Sequence, residues 1–279
     1  MNILKDLWYW FVATKPYAIR HLTGGSNFAK AAPVVDNAPS QTPVSHSELK
    51  NKINIVDKSF IKSIYQKPLS GGEFLAETHK KTQIYLHHTA GSASARNTVN
   101  NWDVDSRGRI ATCVAISNKG DKRSPDGEIV QAFSSKHWAY HLGVKGSFFK
   151  EMGIPYKALD KTSIGIELCA WGPLRLKEDG YYNYVNRLVP EDEVCELGEL
   201  FRGYRYYHKY SDAQIESTYN LLKYWGDAYG IPLDYNEDIF DLNEDALKGV
   251  PGVYTHCSVR PDKTDVFPQP ELIQMLKSL

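Results

Sequence analysis

The 279-residue sequence has no excess of charge of either sign, because 33 Lys and Arg residues are balanced by 33 Asp and Glu residues. Proteins that bind nucleic acids or anionic membranes usually carry a basic patch that shifts this balance. The composition therefore gives no indication of such a partner. Apolar residues make up 42% of the chain, which is ample for a core and fits one large domain or one domain with an extension.

Cysteine is scarce and has no metal-binding or redox spacing. The four cysteines are Cys113, Cys169, Cys195 and Cys257, and no two of them form a CxxC motif. A chain of this length does not need disulfides to hold its core together. We therefore predict mostly reduced, packed cysteines. Cys257 adjoins a candidate metal ligand, so metal binding remains an alternative for it.

The N-terminus has no apolar run long enough to cross a bilayer. Its aromatic segment, residues 7–13, is much shorter than the roughly 20 apolar residues that a transmembrane helix needs. Asp6 interrupts the charged end expected of a signal peptide, and no small-residue cleavage site follows promptly. This segment is either a helix that packs on the main domain or on a neighbouring subunit, or a docking segment for a protein partner that binds residues 1–25. The localisation stays open.

The extension continues beyond this segment. Residues 24–47 are rich in Gly, Ala, Pro, Ser and Asn, which is typical of a linker. Apolar residues between positions 49 and 64 then recur mostly at spacings of three and four, which predicts a lead-in helix or broken helices. We divide the chain into an extension, residues 1–75, and a main domain, residues 76–279.

The main domain combines strand and helix patterns. Short apolar runs predict strands at residues 84–87, 112–117, 129–133, 164–168 and 253–255, the second and third forming a hairpin. Residues 94–102 are a candidate short helix, and amphipathic patterns predict helices at residues 211–229 and 270–279. The middle helix begins with a capping box, Ser211 to Gln214, and ends at Gly230. These elements indicate an α/β or α+β fold, with a central mixed β-sheet flanked by helices.

The tyrosine-rich residues 174–210 form an insertion between these elements. Its tyrosines either line a glycan groove by stacking or fill a small core. The sequence does not distinguish the two.

Candidate metal ligands cluster in the loop after the last predicted strand. His256 and Asp265 bracket Lys263 in a polar segment that contains Pro261 and is unlike core. A zinc site that performs chemistry needs three protein ligands and an open fourth position for water. The third ligand must therefore come from elsewhere in the chain.

The best donor is the histidine pair His87-His88, at the end of the strand around residues 84–86. Adjacent strand residues point to opposite faces, so only one of the two reaches the same metal. The other lies behind the ligands or in the core. Strand parity alone does not say which.

Three segments in this order resemble the zinc-dependent N-acetylmuramoyl-L-alanine amidases. They are residues 87–91 (His-His-Thr-Ala-Gly), residues 163–168 (Ser-Ile-Gly-Ile-Glu-Leu) and the late His256 with Lys-Thr-Asp at 263–265. That family includes bacteriophage lysozyme-amidases, cytosolic muropeptide amidases and peptidoglycan recognition proteins. The resemblance covers roughly residues 80–279 and implies the family's sheet-and-helix fold, a Zn²⁺ cofactor, and a peptidoglycan or muropeptide substrate.

The resemblance also implies roles for single residues. It makes His87, His256 and Asp265 the zinc ligands, Glu167 the general base and Lys263 the group that stabilises the oxyanion. Residues 136–143 resemble the family's Ala-Trp-His-Ala-Gly segment, which assigns Tyr140 and His141 to substrate binding, and we add His88 to this group. Where the family often has a tyrosine, this chain has Thr112 or Cys113, which removes one candidate for transition-state stabilisation.

Other readings of these residues remain open. An acid inside an apolar strand, as Glu167 is, also fits a core hydrogen-bond network. The whole domain also fits a binding module for peptidoglycan that lacks activity. A third reading is a structural component of a phage particle or secretion apparatus that carries an amidase-like domain.

Overall fold

The computed structural model describes residues 58–279. The predicted aromatic segment, linker and most of the lead-in helix fall on residues 1–57 and lie outside the described residues. Over residues 58–279, no helix combines the length and the hydropathy that crossing a membrane requires.

Eleven strands are present in the described range. In chain order they are β1 (Tyr65–Gln66), β2 (Gln83–His88), β3 (Val114–Ile116), β4 (Ile129–Gln131), β5 (Ser163–Leu168), β6 (Pro173–Lys177), β7 (Gly180–Tyr182), β8 (Leu188–Val189), β9 (Val194–Phe201), β10 (Tyr204–His208) and β11 (Gly252–Thr255). Seven α-helices accompany them between residues 58 and 279. They are α1 (Lys58–Ser63), α2 (Ala95–Asp103), α3 (Gly146–Glu151), α4 (Leu159–Thr162), α5 (Asp212–Tyr229), α6 (Glu244–Lys248) and α7 (Pro270–Lys277).

The central sheet has six strands in the order β1-β4-β3-β5-β2-β11. Strands β3, β5, β2 and β11 run parallel, whereas β3 and β4 form the predicted antiparallel hairpin. The carboxyl ends of the four parallel strands therefore meet at one edge of the sheet. With helices on its faces, this mixed sheet confirms the predicted fold class.

Side chains alternate between the two faces along each strand, so the two faces of this sheet pack against different cores. Ile84 and Leu86 of β2 belong to a large core that also contains residues of α2, α5 and α7. Tyr85, between them, belongs to a smaller core with Tyr254 of β11 and residues of α3 and α6. Every side chain of β2 is buried, as expected for a strand covered on both faces.

Helix α5 begins and ends as its sequence predicts. The Ser211 hydroxyl accepts a hydrogen bond from the Gln214 backbone N–H, and Gly230 ends the helix in the left-handed conformation with φ of 65°. The reciprocal half of the predicted capping box is not formed. The Gln214 amide instead donates to the carbonyls of Ile116 and Cys169, at the ends of two central strands. The hydrogen bonds from Gln214 to these two strands therefore replace the second hydrogen bond of the predicted capping box.

Residues 173–208 form a second, antiparallel sheet of five strands in the order β8-β7-β6-β10-β9. Its tyrosines divide between two environments. Tyr207 is fully buried and stacks on Phe267, with ring centroids 4.4 Å apart. Tyr184 lies at the surface and packs edge-on against Trp171.

The described part of the predicted extension takes part in the fold. Strand β1 pairs with β4 of the central sheet, and Leu75 bridges to Trp138. The central sheet therefore begins at Tyr65. The boundary between residues 75 and 76 stays a prediction.

Candidate metal centre

Three strands place chemically active side chains in one row across the sheet. His87 and Glu167 are register partners on β2 and β5, and His256 directly follows β11, which pairs with β2. In parallel strands in register, partner residues share a face. The row His256, His87, Glu167 therefore lies at the carboxyl edge of the strands, on the same face as Tyr85.

Three ligand atoms converge beside this row. His87 Nδ1 lies 3.1 Å from His256 Nδ1, and Asp265 Oδ2 lies 2.9 Å from His256 Nδ1 and 3.4 Å from His87 Nδ1. A tetrahedral zinc ion with bonds of about 2.0–2.1 Å has ligand-to-ligand distances of about 3.3–3.4 Å. The three observed distances are close to the edges of such a tetrahedron. Among residues 58–279, these three buried side chains form a group that could hold a metal ion.

The remaining ring nitrogens show which atoms face the centre. His256 Nε2 lies 2.9 Å from the Leu142 carbonyl oxygen. A carbonyl only accepts, so Nε2 carries a proton and Nδ1 is the ring nitrogen that faces the centre. Metal-binding histidines in proteins are commonly held in this way, through the nitrogen that does not bind the metal.

His87 is held by a longer chain of hydrogen bonds. The Ser163 hydroxyl donates to the Leu159 carbonyl (2.7 Å), so its oxygen accepts from His141 Nε2 (2.9 Å). His141 Nδ1 then accepts from His87 Nε2, also at 2.9 Å. His87 Nδ1 is left with a lone pair that faces the centre.

Two imidazole nitrogens and a carboxylate oxygen thus face one another inside the protein. Such a set of acceptors repels unless a proton or a cation lies between them. Burial, with the nearby His256 ring, lowers the pKa of His87 to about 4, so its ring is neutral at pH 7. Burial raises the pKa of Asp265, but a proton shared with the His256 and His87 rings outweighs it and lowers the carboxyl pKa well below its ordinary value. A cation bound between the three groups would take the place of that proton. The residues present therefore fit a divalent cation with nitrogen and oxygen ligands.

Glu167 and Lys263 lie next to this cluster. Burial raises the pKa of Glu167 well above its ordinary value, the Asp265 charge raises it further, and the Lys263 ammonium opposes both. Both side chains are half-buried, so neither is sealed from water. The arrangement sets one proton acceptor and one fixed positive charge beside the ligands.

His88 points away from the centre, as expected from strand alternation. It is 5% exposed, and its Nδ1 lies 2.8 Å from the Tyr210 hydroxyl. Its ring also packs against Phe267 of the large core. The structure thus places His87, and not His88, at the ligand cluster, whereas the predicted contact between His88 and substrate stays a prediction.

The other two predicted substrate contacts differ in accessibility. Tyr140 is 49% exposed and packs edge-on against Trp138, so its ring is available at the surface. Both ring nitrogens of His141 contact protein groups, His87 and Ser163. Substrate binding by either residue stays a prediction.

The cysteines and the residues at the family's tyrosine position have structural partners. All four cysteines are free and buried, which confirms the prediction. Burial raises the pKa of the Cys257 thiol to about 12, and the thiol donates to the carbonyls of Lys263 and Asp265. Thr112 donates to the Val114 carbonyl and Cys113 donates to the Phe133 carbonyl.

Residues 77–270 match the family model described as N-acetylmuramoyl-L-alanine amidase. The chain belongs to this amidase family. No curated protein matches its sequence at a significant level.

Solved structures similar to this amidase include three proteins of low sequence identity. PlyL is 17% identical, with 77% of this chain and 96% of PlyL covered and a TM-score of 0.42. AmpD is 16% identical, with 80% and 98% covered and a TM-score of 0.43. AmiD from E. coli, in complex with anhydro-N-acetylmuramic acid-L-Ala-D-γ-Glu-L-Lys, is 17% identical, with 72% and 59% covered and a TM-score of 0.41.

Two groups at the metal centre were not predicted from the sequence. The Leu142 carbonyl accepts a hydrogen bond from His256, and every residue has a backbone carbonyl, so the sequence does not indicate this contact. Ser163 belongs to the quoted Ser-Ile-Gly-Ile-Glu-Leu segment, but only the fold shows that its hydroxyl supports His141. Its position at the start of a buried strand was the available signal.

Proposed function

We propose that this amidase hydrolyses the amide bond between N-acetylmuramic acid and L-alanine in peptidoglycan, with Zn²⁺ held by His87, His256 and Asp265. The observation that carries the proposal is the convergence of three lone-pair groups beside Glu167, at tetrahedral spacing. When bound, zinc polarises the substrate carbonyl and lowers the pKa of a water molecule to about 7.

Glu167 is the proposed general base and acid. Its place beside His87 in the sheet puts a carboxylate next to the ligands, and Asp265 and Lys263 act on its pKa in opposite directions. It takes a proton from water as the water oxygen bonds to the carbonyl carbon. It then delivers a proton to the L-alanine nitrogen as the C–N bond breaks, so protons balance over the cycle.

Lys263 is the proposed oxyanion partner. The carbonyl oxygen gains negative charge as water adds, and a fixed ammonium nearby stabilises that charge more than it stabilises the neutral amide. The Lys263 charge lowers the pKa of Glu167, His87 and His88, which supports this role. Tyr140, whose ring is half exposed, is the substrate contact that we favour among the three predicted ones.

Mass spectrometry of digested sacculi tests this proposal. The full-length protein should release stem peptides with a free L-alanine amino group, and a zinc chelator should stop the release. New reducing ends would instead indicate a glycosidase. Binding to sacculi without any product would contradict the hydrolase proposal and support a binding or structural module.

A further inference from the structure

Each of the two histidine ligands donates a hydrogen bond from the ring nitrogen that faces away from the centre, and the two acceptors belong to consecutive residues. His87 donates to the ring of His141, and His256 donates to the carbonyl of Leu142, both over 2.9 Å. A shift of this one dipeptide would therefore move both partners at once. The orientation of the two imidazoles depends on how firmly residues 141 and 142 are held.

One carboxylate oxygen holds that dipeptide. Asp160 Oδ1 accepts the backbone N–H of His141 at 2.8 Å and that of Leu142 at 2.9 Å. Hydrogen bonds to a charged acceptor are stronger than those between neutral groups. Among residues 58–279, Asp160 is the side chain that accepts from these two N–H groups, so it is their anchor.

The ring of His141 has a separate anchor in the same segment. Asp160 lies on α4 and Ser163 begins β5, only three residues later. Asp160 thus fixes the backbone of residues 141 and 142, while the Ser163 hydroxyl fixes the His141 ring. The strand that starts at Ser163 also carries Glu167, so one continuous segment supports the ligands and the base.

We propose that Asp160 and Ser163 are positioning residues, which orient both histidine ligands of the metal centre by holding residues 141 and 142. Neither residue touches the substrate or the three ligands in this role. The inference rests on the proposed zinc-dependent function. It also gives His141 a role behind His87 instead of at the substrate.

Zinc affinity of the full-length protein, measured by competition with a chelator, tests the inference independently of activity. Removing the partners of metal-binding histidines typically costs about 10- to 100-fold in metal affinity. We expect a loss of this size in Asp160→Ala. Asp160→Asn should keep most of the natural zinc affinity, because its amide oxygen can still accept hydrogen bonds from both N–H groups.

Asp103→Ala is the matched control. Asp103 is also half-buried and accepts hydrogen bonds from the backbone N–H and hydroxyl of Ser70, away from the metal centre. It should keep the zinc affinity of the natural protein. The visible spectrum of the Co²⁺-substituted protein adds a readout of ligand geometry, which should change in Asp160→Ala and not in Asp103→Ala.

Unchanged zinc affinity and an unchanged Co²⁺ spectrum in folded Asp160→Ala would overturn the inference. If that variant does not fold, Ser163→Ala decides, because it removes the anchor of the His141 ring, together with one hydrogen bond to the Leu159 carbonyl, and leaves Asp160 in place. Natural affinity in Ser163→Ala would then overturn the inference, and a loss of about tenfold or more would support it. Absence of zinc binding by the natural protein would instead refute the proposed function, so the two failures are distinguishable.

Discussion

Gly165, at the centre of β5, allows a test of how packing supports the metal centre. A Cβ added here would lie 2.8 Å from Thr112 Cγ2, 3.0 Å from Thr112 Cβ and 3.1 Å from His141 Nδ1. Ordinary van der Waals contacts begin near 3.4 Å. The glycine is therefore needed for space, and Gly165→Ala should push both on Thr112 and on the residue that holds His87.

The expected cost in stability follows from this overlap. Overpacking a buried site by one methyl group typically costs about 1–3 kcal/mol, and alanine regains about 0.4–1 kcal/mol by restricting the unfolded chain. We therefore expect Gly165→Ala to lower the free energy of unfolding by about 1–2 kcal/mol. For a domain of this size, each kcal/mol corresponds to a fall in Tm of about 2–4 °C.

A double-mutant cycle separates the two contacts. Thr112→Ser removes Cγ2 and keeps the hydroxyl that donates to Val114. The double variant should regain part of the stability that Gly165→Ala loses. It should not regain zinc affinity, because the contact with His141 Nδ1 remains.

Urea unfolding of the zinc-free protein and chelator competition measure the two quantities. Gly198→Ala, in strand β9, is the control, because an added Cβ there meets nothing within 4 Å. It should leave both stability and zinc affinity nearly unchanged. Natural stability and natural zinc affinity in Gly165→Ala would refute the claim that a Cβ at this position crowds Thr112 and His141.

Glu167→Gln should lower kcat by about 10²- to 10⁴-fold in the muropeptide assay while metal analysis finds zinc retained, and near-natural turnover would exclude Glu167 as the base. His256→Ala should lose the roughly one zinc ion per chain that the proposed site holds, whereas His208→Ala, which removes a buried histidine bound to Glu193, should keep it. Burial lowers the pKa of His88 to about 4, so as pH falls from about 6.5 to 4 the unfolded state binds the proton before the folded state does. The free energy of unfolding of the zinc-free protein should therefore fall by up to about 3 kcal/mol. Urea unfolding of His88→Asn should show a weaker dependence on pH in this range. Ser211→Ala removes the N-cap of α5 and should cost about 1 kcal/mol in the same assay, and no loss would contradict the cap assignment.

Local patterns were sufficient to predict most elements of the sheet. The strands around Ile84, Ile164 and Val253 and the hairpin β3–β4 formed where short apolar runs and turn residues predicted them. Helix α5 also began and ended at its predicted cap residues. These features depend on neighbours in sequence, so the sequence shows them directly.

Features that depend on distant partners were not predictable in this way. The side chain of Gln214 fits a capping box, yet buried carbonyls of Ile116 and Cys169 bind it more favourably than its own helix does. The second sheet, in residues 173–208, was not predictable, because strands of two or three residues such as β7 and β8 are too short to show a pattern. Tyr207 and Tyr184 show why composition alone gave two readings: one lies in the core and the other at the surface.

The choice between His87 and His88 shows how register determines the site. Ser163, Gly165 and Glu167 alternate with Ile164, Ile166 and Leu168 of the large core, so the small and polar side chains share the face of the metal centre. Because β2 pairs with β5 in parallel register, the same alternation turns His87 to that face and His88 into the core. A slip of one residue would turn the apolar set to the face of the metal centre and turn Glu167 into the large core. The core residues of β2 and β5, which carry no chemistry, therefore select the histidine that faces the centre.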